Sequence, residues 1–146
     1  MILAAHGPRI ELPKGWSGRV FSRSGRAATL HAGSFPVSLN DGEFGDASTG
    51  RMPHGGAFVA LTEYESGAGL QPGVGLFAAS NLRLPLDPTA FSATKLAHPR
   101  RGQRGMQHFF TAGARPLCLY VVISGDRRHQ LARLNHVLTS LRIEPR

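Results

Sequence analysis

Apolar and polar positions alternate most informatively in the last third of the chain. From Gln107 it reads QHFFT, AGARP, LCLYVVIS, GDRRHQLARLNHVLTS and LRI. This pattern predicts strand, turn, strand, helix and a short final strand. Leu117 to Ile123 is an unbroken apolar run rich in β-branched and aromatic residues, the mark of a strand covered on both faces. Leu131, Leu134, Leu138 and Leu141 then recur at spacings of three, four and three, one stripe on a 3.6-residue period. Burying four leucines is worth roughly 6–12 kcal/mol at ~1.5–3 each. No other stretch offers as much, so the remainder is expected to pack around this unit. Pro116 has no N–H for a ladder and suits only the start of its strand. Ser124 or Asp126 is the expected cap of the helix. Leu141 either closes the helix or opens the short strand.

Upstream the pattern is weaker. Ile10-Glu11-Leu12 alternates as a first strand, and Pro13-Lys14-Gly15 is a turn. Trp16 to Arg23 and Ala28 to Phe35 are further strands, with Ser24-Gly25-Arg26 as the turn between them. Together these predict an antiparallel meander. Asn40 to Gly56 is rich in turn formers and poor in apolar periodicity, so it is expected as a long surface loop. Ala57 to Glu65 returns to strand pattern. Ser66 to Gly75 is a Gly-rich loop, and Leu76 to Ala79 and Leu82 to Leu84 are short strand candidates. Asp87-Pro88-Thr89 has the form of a capped helix start, with a short helix ending near Leu96. Pro99 to Gly105 is a basic loop.

The sum is an α+β fold with a curved, mainly antiparallel sheet of about six strands. The C-terminal helix packs on one face, and a second short helix lies elsewhere. A chain of 146 residues is one domain by size, and it has no repeat or linker. Its 41% apolar content is ordinary, and no run approaches the ~18 apolar residues of a membrane span. MILAAHGPRIELP lacks the basic start and long apolar core of a signal peptide. A cytoplasmic location is expected unless a leader has been cut away. The single cysteine, Cys118, excludes an internal disulfide, and its apolar strand makes it core rather than nucleophile.

Charge changes the picture more. The net charge of +8 comes from 15 Arg and two Lys against nine acidic residues. Residues 1–35 carry +4, residues 36–90 carry −4 and residues 91–146 carry +8. Such unevenness points either to an anionic partner or to internal neutralisation once the thirds fold together. The densest group is Lys95, His98, Arg100, Arg101 and Arg104, which Arg127, Arg128 and Arg133 on the last helix could join. These eight are the candidate partner- or anion-binding residues. Phosphate contact is the economical ligand chemistry, since base stacking wants free aromatics and one of Phe109 and Phe110 should be core. The plainer alternative, a solvated loop balancing the acidic middle, carries more weight.

No catalytic constellation appears. GAGLQPGVG at 67–75 is neither G-x-G-x-x-G nor a phosphate-binding loop, and there is no G-x-S-x-G elbow. The seven histidines show no close metal spacing, and His129 and His136 lie roughly 10.5 Å apart along the helix. Asp41, Glu43 and Asp46 lack the calcium-loop pattern and read as a solvated loop. Glu63 and Glu65 should share a strand face, most simply a solvent-facing one. No cofactor or metal is therefore expected, and the balance is against an enzyme. A deep pocket lined by several of His54, Glu63, Glu65 and His98 would reverse that balance.

The opening IELPKGW, a strand and a Gly-Trp turn into a meander, and the ending of two long strands, a helix and Leu141-Arg142-Ile143 together resemble the PsbP-like (MOG-type) α/β sandwich. The phrasing is also similar to small bacterial proteins of GC-rich genomes. The resemblance implies a curved antiparallel sheet flanked by helices, and accessory or binding roles more than catalysis. No functional motif of that family is present, so it implies no site residue. The expected function is a non-enzymatic module that binds a protein partner or assembles with itself. The alternative is an anion or nucleic-acid binder using residues 95–104 and the last helix.

Overall fold

The computed structural model describes residues 1–22, 28–65 and 70–146. Its strands form two antiparallel sheets. The first joins β1 (Ile2–Ala4), β2 (Pro8–Glu11) and β8 (Arg142–Ile143) in the order β1-β2-β8. The second joins β3 (Ser17–Phe21), β4 (Thr29–Gly33), β5 (Ala57–Glu63), β6 (Gln103–Ala112) and β7 (Arg115–Ser124) in the order β3-β4-β5-β7-β6. Among the described residues two α-helices accompany the sheets, α1 (Asp46–Gly50) and α2 (Arg127–Leu138). The class is α+β.

The C-terminal unit follows its pattern. β7 is an interior strand, paired with β5 on one side and with the edge strand β6 on the other. Side chains alternate across a strand, so Leu117, Leu119, Val121 and Ile123 face one side with Val59, Leu61, Met106 and Phe110. Leu131, Leu134, Val137 and Leu138 of α2 cover that side, joined by Ile10, Leu12 and Ile143 from the small sheet. Asp126 is the helix cap, accepting the Arg128 N–H at 3.0 Å, while Ser124 ends β7. Leu141 belongs to neither the helix nor β8: it lies in the turn between them, with its side chain against the core.

Tyr120 and Val122 face the other side with Phe58 and Ala60. That side has a lid with little regular structure: Phe35, Val37, Phe44 and Met52 from residues 34–56, and Leu96 and Ala97. The run 40–56 is therefore a cover and not a free surface loop, and Ser48 and Thr49 of α1 are fully buried. Asp41 is buried as well, 8% exposed, and does not belong to a solvated acidic group. Its carboxylate accepts the N–H groups of Gly42, Ala47 and Ser48 at 2.8–2.9 Å. It thereby caps α1, whose N-cap position is Gly45 and offers no side chain. Gly45 has φ +69°, and a Cβ there would stand 2.2 Å from the Phe58 ring. Only glycine lets the backbone turn that close to the sheet.

Other expectations change. Ile2–Ala4 forms a strand that three residues of sequence did not signal, and β2 pairs with it and not with β3. The meander is thus β3-β4-β5 alone. The expected turn at 24–26 lies outside the described residues, as do residues 66–69. Leu76 to Ala79 is no strand: Gly75–Phe77 is a 3-10 turn, and 82–84 is irregular. The helix expected from Asp87 to Leu96 is two 3-10 turns, Pro88–Ala90 and Ala93–Lys95, capped by Asp87 and Ser92. β6 starts four residues before Gln107, so Arg104 stands on a strand and not in a loop. Among the described residues no helix is long and apolar enough to cross a membrane.

Candidate binding groove at the sheet edge

β6 is an edge strand of the larger sheet. In an antiparallel edge, alternate residues turn their main-chain groups outward. Gln103, Gly105 and Thr111 turn outward, and each finds a partner. The Gln103 N–H donates to the Arg100 carbonyl, Gly105 and Ser92 exchange two bonds at 2.9 and 3.0 Å, and the Thr111 N–H donates to Ala79 at 2.8 Å. The Thr111 carbonyl accepts the Asn81 N–H at 2.9 Å. The same alternation turns Gln107 and Phe109 outward, and no described residue pairs with their main-chain groups. The edge is thus covered at both ends and open in the middle.

Residues 79–90 cause this opening. They leave the edge at Asn81, swing out and return at Ser92. Between this strap and β6 lies a groove of about 570 Å³, whose lining includes Met106, Leu86, Ala90, Leu82, Arg83 and His108. Met106 and Leu86 are core residues that surface there. A second hollow of about 250 Å³ adjoins it through Asn81 and Leu82 and reaches Leu84, Phe110 and Ile143. Asp87 lines the groove, but its carboxylate is turned to Thr89, accepting its N–H at 2.9 Å and its hydroxyl at 2.8 Å. These bonds from Thr89 hold the Asp87 carboxyl below the usual range.

The eight basic candidates do not form one patch. Lys95 and Arg127 meet at the strap, where Lys95 Nζ donates to the Ala90 carbonyl at 3.1 Å and Arg127 to the Pro88 carbonyl at 3.0 Å. Arg104 is exposed on the α2 side of β6, and Arg101 and Arg128 are exposed. Arg100 and His98 lie on the opposite side, against α1. Arg100 pairs with Asp46 and donates to Thr49 Oγ1 at 2.9 Å, and His98 Nδ1 lies 3.6 Å from Asp46. Arg133 lies over the Trp16 ring, 5.9 Å from its centroid, with bonds to Gly55 and Gln130. Arg100 and Arg133 are thus structural fastenings.

Internal neutralisation accounts for little of the charge. Among the described residues Arg100, Arg115 and Arg146 are the only arginines or lysines that reach a carboxylate, with His98 beside Asp46 as well. Glu63 is one of those carboxylates, and it does not share a solvent face with Glu65. It is buried, receiving Arg115 at 2.7 Å and Arg146, while β5 has ended before the exposed Glu65. Neither hollow is lined by His54, Glu63, Glu65 or His98. Among the described residues no group of His, Cys, Asp and Glu is placed to hold a metal ion. Phe110 is core, and Phe109 packs on Tyr64 and Phe77 with centroids 6.4 and 5.8 Å apart, so neither ring stands free.

Sequence reasoning missed Arg83, Met106, His108 and the outward backbone of Gln107 and Phe109. The available signal was Gln107, a polar residue in a strand, beside a Pro-rich strap. No family model, curated protein or solved structure matches the chain. The family resemblance therefore rests on its quoted residues alone.

Proposed function

We propose that the chain is a non-enzymatic interaction module that takes an extended segment of a protein partner at the open part of β6. The observation that carries this reading is the uncovered backbone of Gln107 and Phe109 beside an apolar groove. Exposed edge groups are templates for strand addition, with pockets alongside to select side chains. Here the distance from Gly105 to Thr111 is about 20 Å at ~3.3 Å per residue, room for a few residues of a guest strand. Two outward residues offer four main-chain hydrogen bonds, each worth ~0.5–1.5 kcal/mol net. That does not exceed the cost of association by itself, so the groove must receive guest side chains and binding should be modest.

The same geometry disfavours self-assembly through this edge. In a second copy the matching stretch is flanked by its own strap and Ser92, which would meet the first copy's before the strands paired.

Gln107→Pro tests the reading. It deletes an N–H that the ladder to β7 does not use, so the fold should survive. Gln107→Ala is the control, since it loses the same side-chain bond to the Lys95 carbonyl, 3.2 Å long, and keeps the N–H. A displayed library of random ten-residue peptides, selected on the wild type, should yield binders that lose affinity for Gln107→Pro and keep it for Gln107→Ala. Selection of no such peptide overturns the proposal.

A further inference from the structure

We infer that the segment accepted at the β6 edge is acidic, an inference that rests on the edge-docking reading above. Four basic groups surround the opening. Arg83 and His108 line the groove, Lys95 Nζ sits on the Ala90 carbonyl and the Arg127 guanidinium on the Pro88 carbonyl. The one carboxylate among them, Asp87, accepts two bonds from Thr89 and its charge also acts on Lys95, so Arg83, Lys95 and Arg127 leave the opening positive after Asp87 is counted. The rest of the molecule reinforces the sign. Asp41, Asp46, Glu63 and Asp126 each serve an internal partner, while Arg51, Arg83, Arg101, Arg104 and Arg128 are exposed with no carboxylate in ion-pair reach among the described residues. The net charge of +8 therefore stands largely at the surface and steers anionic partners toward it.

Nucleic acid is the other polyanion, and the edge suits it poorly. Gln107 and Phe109 present carbonyls as well as N–H groups, and a DNA backbone brings acceptors but no donors for them, to which RNA adds only its 2′-hydroxyls. A peptide main chain brings both. The rings that would stack on bases are also engaged, Phe109 as described and His108 stacked on Phe110 at 5.3 Å. A second copy of this chain brings the same positive charge. An acidic peptide strand meets both requirements.

Three fluorescent probes decide the matter by anisotropy: a ten-residue peptide alternating valine with glutamate, its valine–lysine counterpart, and a ten-nucleotide oligo(dT). The glutamate peptide should bind at least about tenfold tighter than the lysine peptide and weaken with added salt. Gln107→Pro should abolish that binding. The double variant Arg83→Glu with Lys95→Glu should weaken it about fivefold or more, with circular dichroism showing all variants folded. Equal or better binding of the lysine peptide, still lost in Gln107→Pro, overturns the acidic inference and leaves edge docking intact. Binding that Gln107→Pro leaves unchanged, or no peptide binding, overturns both. Oligo(dT) binding that the glutamate peptide cannot displace assigns the basic groups to nucleic acid and also overturns the inference.

Discussion

The two faces of the larger sheet are buried to the same depth by different means. On one face lies α2, which satisfies most of its own main-chain hydrogen bonds and needs only an apolar stripe to adhere. On the other lies an irregular cover, residues 34–56 with the segment at 96–97. An irregular cover has no internal ladder, so its buried backbone groups must be satisfied singly. Ser17 Oγ accepts the Val37 N–H, Ser48 Oγ accepts the Ser38 N–H, and the Gln103 amide donates to the Thr49 carbonyl. Asp41 accepts three more, and Arg100 ties α1 down through Asp46 and Thr49. One face is thus held mainly by packing and the other by packing together with a set of polar tethers. The proposed binding opening lies at the sheet's edge, where neither cover reaches.

The largest expected effect falls on the packed face. Leu134 is completely buried in the core that α2 shares with the larger sheet. Leu134→Ala removes its buried side chain and leaves a cavity that a regular helix packed on a sheet fills only in part. The cost should be about 2–5 kcal/mol. Urea unfolding measures it, and a midpoint equal to wild type would break the claim that α2 holds that face by packing.

The next effect falls on the tethered face and depends on pH. Burial raises the Asp41 carboxyl, but the Ser48 hydroxyl and the N–H groups of Ala47, Ser48 and Gly42 outweigh it and hold the group below its usual range. A carboxylate with a lowered folded pKa stabilises the protein above its unfolded value, ~3.9, and that stabilisation is lost as pH falls through the folded value. Asp41→Ala should cost about 1–3 kcal/mol near neutrality, the range for buried donors left without an acceptor. Its deficit against wild type should hold from pH 5 to 8 and shrink as pH drops below about 4. A deficit unchanged at pH 3 would mean that Asp41 acts by shape and not by charge.

What the sequence disclosed follows the same division. β7 and α2 were legible because a strand covered on both faces imposes an unbroken apolar run and a helix on a sheet imposes a 3.6-residue period, and Leu117–Ile123 and Leu131–Leu138 carry them. The tethered cover was not legible, because side chains that satisfy a backbone one group at a time obey no period. Asp41 and Ser48 read as solvent-facing turn formers, and their roles appear only when residues 38 and 41 meet α1 in space. The groove was hidden for a related reason. Its floor is Met106 and Leu86, ordinary core residues by composition, and its opening consists of backbone that any sequence possesses. Of the basic candidates, Lys95 and Arg127 converge there although 32 positions separate them. Arg100, adjacent to Arg101 in the chain, turns instead to α1. Proximity in sequence was a poor guide because β6 separates the two sides of the sheet.

The smallest expected effect leaves stability untouched and asks whether the two faces open together. Cys118 lies on the tethered side of β7, opposite Thr62 and Phe109 in register, and is 1% exposed. Burial, with the Glu43 charge adding to it, pushes its thiol up to about 12. An unfolded thiol titrates near 8.5, so at pH 8 the native protein holds almost no thiolate while the opened chain holds a reactive fraction. Alkylation by iodoacetamide at pH 8 therefore reports opening of the surface above Cys118. An irregular cover fastened by individual side chains is the kind of element that lifts before the global transition. The logarithm of the labelling rate should rise with urea along a shallower slope than the global unfolding curve, because less surface is exposed in lifting the cover than in unfolding the domain. Asp41→Ala should speed labelling in the absence of urea more than Leu134→Ala does, although Leu134→Ala is the more destabilising of the two. If labelling follows the global slope in the wild type and ranks the variants by their overall stability, the polar tethers and the leucine stripe belong to one cooperative unit. The contrast between the faces is then one of construction and not of dynamics.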